Sequence, residues 1–202
     1  MDFSYFAETG EMFRRLASDR RQEELLLRIA DLLWQPLDSG GKILFAGNGG
    51  SAADCQHLAG ELVGRFLRER PGLPGISLTV NTSVLTAILN DYGSESVFSR
   101  QIEALGRAGD VFWAFSTSGN SPNILQACAQ AREQGLKILG FTGQNGGKLP
   151  NLCDLCFQAP ALATPHIQEC HIAAGHLLCG ILEERFLAKR TPGHTGGGFL
   201  VS

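Results

Sequence analysis

Two segments of this chain carry side chains that could move protons or hold a metal ion. In DCQHLAGELVGRF, His57 and Glu61 stand four residues apart. On a helix they would sit roughly 40° apart on one face, one turn from each other. In IQECHIAAGH, the candidates are Gln168, His171 and His176. Gln168 and His176, eight apart, differ by about 80° around a helix axis, so both can face one site from successive turns. Gln168 and His171, at i and i+3, are as compatible, and spacing alone does not choose between the two histidines. A carboxylate and an imidazole held beside a carbonyl are the parts needed for proton transfer. Two histidines, a glutamate and an amide would also suit a divalent ion, with zinc the best match to imidazole. The plainer reading is an exposed His–Glu helix pair and a satisfied core histidine.

Two loops add to these residues. Gly47-x-Gly49-x-x-Ala52, within GNGGS, satisfies the relaxed dinucleotide fingerprint. That motif needs a carboxylate at the end of the next strand to hold a ribose, and the chain reads Val80-Asn81-Thr82-Ser83 there. No Gly-Lys-Ser/Thr follows either, so the P-loop pattern fails. The second loop, STSGNSPN, offers the hydroxyls of Ser116, Thr117, Ser118 and Ser121, then Pro122 as a helix start. Converging donors at a helix N-terminus favour a phosphate, with Ser121 also expected to cap the helix.

These loops need a frame. The apolar runs Lys42–Gly47, Gly75–Val80, Asp110–Ser116, Lys137–Gly143 and Asp154–Ala159 read as buried strands. Helical patterns over Ala52–Phe66, Val84–Leu89, Val97–Leu105, Asn123–Gln134 and Ile167–Ala188 separate or follow them. Continuous apolar strands alternating with helices predict an α/β fold with a parallel sheet covered on both faces. Before them, residues 1–36 carry helical periodicity with breaks near Thr9-Gly10 and Ser18-Asp19, as two helices or one bent helix. The expected organisation is this N-terminal helical segment, a domain over 37–190, and a glycine-rich tail over 191–202.

Bulk properties exclude several classes. A net charge of −3 gives no reason to expect nucleic acid as partner. No signal-peptide pattern and no apolar run of membrane-spanning length occur, so a cytoplasmic location is the expectation, with no membrane partner. The six cysteines lie in apolar segments, as reduced packed thiols do. Cys153-x-x-Cys156 has no second pair to complete a zinc site and is read as structural.

Residues from about Gly40 to Phe186 closely resemble the sugar-isomerase (SIS) family, and within it the sedoheptulose-7-phosphate, or phosphoheptose, isomerases. The motifs are GNGGSAADCQHLAGELVGRF, ERPGLPGISL, LNDYG, GDVFWAFSTSGNSPN, TGQNGGKL and IQECHIAAGH, in family order. The resemblance implies a three-layer fold around a five-stranded parallel sheet and an aldose–ketose isomerase acting through an enediol. The product would be D-glycero-D-manno-heptose 7-phosphate, a precursor of lipopolysaccharide heptose. It further implies Glu61 and His176 as catalytic base and acid, and one zinc per subunit on His57, Glu61, Gln168 and His176. Substrate contacts would come from Asn48, Gly49, Gly50, Glu61, Asn90, Asp91, Ser116, Thr117, Ser118, Ser121 and Gln168. A homotetramer with sites at subunit contacts is implied too, and the family pattern favours His176 over His171.

One departure is His166, where relatives often carry arginine before the Ile-Gln-Glu triplet. A histidine there would supply positive charge to a substrate only when protonated, giving activity a pH dependence near neutrality. The alternative from the same fold group is a non-catalytic tetramer that binds a replication initiator. Such a protein has no need of Glu61 and His176 together. A sugar-phosphate sensor or another ketose-phosphate isomerase is a third reading.

Overall fold

The computed structural model describes residues 3–190, and the glycine-rich tail lies outside the described residues. Helices α1 (Ser4–Ser18) and α2 (Arg20–Ser39) lead the chain. The break between them falls at Asp19, whose carboxylate accepts the Arg21 N–H at 2.9 Å and caps α2. The expected break at Thr9-Gly10 does not form: Gly10 lies inside α1. α2 also runs past Pro36. Its ring is buried, its carbonyl accepts the Gly41 N–H at 2.7 Å, and the helix stops at Gly40, where φ is +84°.

Five strands follow: β1 (Ile43–Ala46), β2 (Gly75–Ser77), β3 (Val111–Phe115), β4 (Lys137–Thr142) and β5 (Leu155–Gln158). They form one sheet in the order β2-β1-β3-β4-β5, with every neighbouring pair parallel. Alternation along the strands decides which layer each side chain enters. Phe45, Trp113, Phe115, Leu139, Phe141 and Phe157 join the core with α2, α3 (Gly50–Val63) and α7 (Thr164–Arg190). Leu44, Phe112, Ala114 and Ile138 face α5 (Ser99–Leu105) and α6 (Pro122–Glu133) on the other side. Three layers result, as the continuous apolar strands require. Between β2 and α5, α4 (Thr82–Tyr92) is capped by the Asn81 carboxamide oxygen, which accepts the Val84 N–H at 3.1 Å; none of its residues is buried.

Two features of this frame build the site. The chain leaves neighbouring strands β1 and β3 toward opposite faces, into α3 and α6, which makes the β1/β3 gap the switch point where ligands bind. On the α3 side, α3 and α7 run side by side in the same direction. Gly50 lies against Gln168, and Leu58 against Gly175. A Cβ on Gly175 would come 2.7 Å from Leu58, so that glycine permits the close approach of the two helices.

Candidate active site

The parallel register of α3 and α7 places His57, Glu61 and His176 together. His57 Nε2 lies 3.0 Å from a Glu61 carboxylate oxygen and 2.9 Å from His176 Nε2. One ligand atom from each of the three lies within 4.8 Å of the other two. Phe66 closes one side, its ring stacked on His176 at 5.6 Å between centroids. Burial pushes the His176 imidazole below its usual pKa and His57 adds to this, while Glu61 pulls the other way. A neutral imidazole beside a carboxylate can both donate and accept a proton near neutrality. The donor set also passes a test for a metal. Two ligands at zinc distances of 2.0–2.1 Å on tetrahedral axes stand about 3.4 Å apart, comparable with the spacings here.

The structure separates the two candidate histidines of α7. His171 is fully buried, bonds the Thr142 carbonyl at 3.1 Å and packs among Phe115, Phe141 and Phe157. Burial lowers its pKa to about 4, so it is a neutral core residue. Gln168 packs its amide over Gly50, where a Cβ would come 2.6 Å from Nε2. That contact is two turns of α3 before His57. His166 turns to α1: its Nδ1 is 3.1 Å from Thr9 Oγ1 and 3.2 Å from a Glu169 carboxylate oxygen, and its ring stacks on Tyr5. Within one chain His166 is held between α1 and α7 by these contacts.

At the switch point the two loops meet. Asn48 and Asn123 exchange side-chain hydrogen bonds of 3.0 and 2.9 Å across the gap. Ser116 and Ser121 hydroxyls are 2.9 Å apart, and Ser121 makes no side-chain cap bond on α6. The expected cap is therefore absent because the hydroxyl is committed to the loop. A cleft of about 240 Å³ is lined by Asn48, Ser94, Glu95, Ser121, Pro122 and Asn123. Thr117 and Ser118 line a second cavity of about 370 Å³ with Gln144, Asn145 and Thr164. Gly49, at φ +56°, precedes α3 at the same end of the sheet. Asn90 and Asp91 bond each other at 2.7 Å on the exposed end of α4 and do not join the His57–Glu61–His176 group within one chain.

Comparison with known proteins bears on this arrangement. Residues 4–143 match the SIS domain family. The phosphoheptose isomerase of Rhodospirillum rubrum is 57% identical over 155 residues, covering 77% of this chain and 82% of its own. That of Burkholderia pseudomallei (strain K96243) is 49% identical over 184 residues, covering 91% and 93%. The solved phosphoheptose isomerase of Neisseria gonorrhoeae superposes with a TM-score of 0.84 at 41% identity, over 90% of this chain and 96% of that one. This chain belongs to the phosphoheptose isomerase family. The relationship makes it an isomerase and decides against the non-catalytic reading.

Several residues around the site escape the reading of motifs. Asp54, one turn before His57, has a buried carboxylate oxygen without a partner among the described residues. Burial raises its pKa to about 6, with His57 opposing. Ser94 and Glu95 follow LNDYG and reach the cleft only because a 3-10 turn at Ser94–Ser96 folds back there. Asn123 reads as the first residue of a helix, and its pairing with Asn48 depends on a contact 75 residues distant in sequence. The Cys153 thiol donates to the Leu149 carbonyl at 3.1 Å. Its contact with Cys156, together with burial, raises the pKa of the Cys153 thiol, which is a protonated, packed side chain.

Proposed function

We propose that the protein interconverts sedoheptulose 7-phosphate and D-glycero-D-manno-heptose 7-phosphate, supplying heptose for lipopolysaccharide. The convergence of His57, Glu61 and His176 beside two phosphate-type loops carries this reading. The phosphate is bound by Ser116, Thr117, Ser118 and Ser121 at the N-terminus of α6, with Asn48, Gly49, Gly50 and Gln168 along the sugar. Glu61 takes the proton from C1 of the open-chain ketose, giving an enediol, and returns it to C2. His176 gives a proton to O2 as the carbonyl becomes a hydroxyl and accepts one from O1 as the aldehyde forms. Burial that keeps His176 neutral suits this exchange.

His57, Glu61 and His176 would hold one zinc ion per subunit, with Gln168 completing the set by side-chain movement from Gly50. When bound, the ion supplies Lewis acidity toward the sugar oxygens. The functional form is a homotetramer. In its support, α4 buries none of its residues although it reads TSVLTAILNDY, and Val80, Leu89 and Tyr92 are more than half exposed. Asn90 and Asp91 on this helix enter a site only when a second subunit packs there. A cytoplasmic setting is part of this proposal. No helix among the described residues is long and apolar enough to cross a membrane.

The test is incubation with sedoheptulose 7-phosphate, following aldose formation after chelation and after zinc is restored. Turnover that falls on chelation and returns with zinc supports both parts. Turnover in zinc-free protein removes the metal, and no turnover under any condition removes the substrate.

A further inference from the structure

We propose that Arg70 and Glu183 are positioning residues that set Glu61 against His176, an inference that rests on the reaction proposed above. Their side chains are buried, at 0% and 2% exposure, with Arg70 Nε 3.2 Å from a Glu183 carboxylate oxygen. Arg70 holds the backbone of Glu61, and Glu183 holds the backbone of Phe66, whose ring lies on His176. Arg70 Nη2 donates to the Glu61 carbonyl at 2.7 Å, and Nη1 donates to the carbonyls of Leu62 at 2.8 Å and Pro71 at 3.1 Å. A cation thus satisfies carbonyls of the last turn of α3 that the helix itself leaves open. Glu183 accepts the N–H groups of Phe66, Leu67 and Arg68 at 3.0, 2.9 and 2.7 Å. Phe66 is the residue whose ring lies on His176.

The pair therefore reaches Glu61 through its own backbone and His176 through Phe66. It also ties the loop after α3 to α7, the helix that carries His176. Apolar residues of similar volume often replace a buried ion pair with little loss of stability. What such residues cannot do is bind four carbonyls, those of Glu61, Leu62, Gly64 and Pro71, and three N–H groups at fixed points. Arg70 and Glu183 act as the outer support of the proton-transfer pair, two contacts from any substrate atom.

The experiment compares Arg70→Met, Glu183→Gln, Arg70→Lys and Phe66→Leu with a control, Ile102→Ala, on the opposite face of the sheet. Loss of such outer support lowers metal affinity or activity about 10–100-fold. Expected for Arg70→Met and Glu183→Gln is a fall in kcat of this size with KM changed less than threefold. Zn²⁺ affinity, read by competition with a chromophoric chelator, falls in parallel. The imidazole resonances of His57 and His176 in metal-free protein shift, while that of His171 stays. Arg70→Lys recovers part of the loss, since one ammonium keeps the charge but cannot span the carbonyls. Ile102→Ala lowers Tm and leaves kcat, metal affinity and both resonances in place. Phe66→Leu, at a partly exposed ring, decides the question if the buried variants do not fold. Folded variants with kcat, zinc affinity and imidazole resonances within twofold or unshifted from the parent overturn the proposal. The resonance readout stands even if the parent fails to isomerise the heptose phosphate, so the two failures are distinguishable.

Discussion

Gly119 is the position where a single methyl group tests how the phosphate loop is held. Its φ is +64°, and a Cβ there would come 1.7 Å from the Gly146 carbonyl oxygen, a backbone atom, and 3.0 Å from Thr142 Oγ1. The loop after β3 and the loop after β4 interlock at this point, because the Gly119 carbonyl accepts the N–H groups of Lys148 and Leu149, both at 3.0 Å. Restoring ordinary contact in Gly119→Ala requires the two loops to part by roughly 1.5 Å, and the two hydrogen bonds are lost at about 1 kcal/mol each. The left-handed backbone costs an alanine about 1 kcal/mol more. The sum is about 3 kcal/mol, which for a chain of this size lowers Tm by roughly 6–12 °C. The displaced loop carries Thr117 and Ser118, whereas Glu61 and His176 sit on α3 and α7. KM should therefore rise by roughly tenfold or more while kcat changes little, the pattern of lost uniform binding. Differential scanning calorimetry and steady-state kinetics read the two effects. A Tm within about 2 °C of the parent and a KM within about twofold would refute the interlock as the support of phosphate binding.

Three further predictions concern other parts of the site and its support. Glu61→Gln should keep the fold and lower kcat by about 10²–10⁴-fold, the usual worth of a positioned acid or base; undiminished turnover excludes Glu61 as the base. Gly50→Ala places a methyl group against the flexible end of Gln168. It should lower kcat/KM as far as Gln168→Ala does without loss of Tm, and equal kcat/KM in mutant and parent would show that the resting place of Gln168 is immaterial. His171, with its folded pKa depressed to about 4, binds a proton more readily when unfolded. Its contribution is full above about pH 6.5 and is lost as pH falls toward 4, by about 3 kcal/mol in all. Urea denaturation of parent and His171→Leu at pH 7 and pH 4.5 should show their stability difference shifting in favour of the mutant at low pH; parallel curves would refute a neutral buried imidazole.

Much of this protein was determined by the sequence alone. Continuous apolar runs such as Val111–Phe115 can be buried on both sides only in a covered parallel sheet, and all five strands formed where these runs lie. The four-residue spacing of His57 and Glu61 fixed their shared helix face without reference to the rest of the chain. Local pattern was less reliable where a residue had a distant partner. Thr9-Gly10 reads as a helix break but Gly10 lies inside α1, and Ser121 reads as a cap but bonds Ser116 instead. Only tertiary structure chose between His171 and His176 on the residues' own terms, because helical spacing is blind to which side of α7 meets the aromatic core and which meets α3. It likewise brought Asn48 to Asn123 and Arg70 to Glu183, contacts 75 and 113 residues apart in the chain. Periodicity reports the face a residue occupies; what lies across from that face is set by how helices and loops pack, and that is where the site was completed.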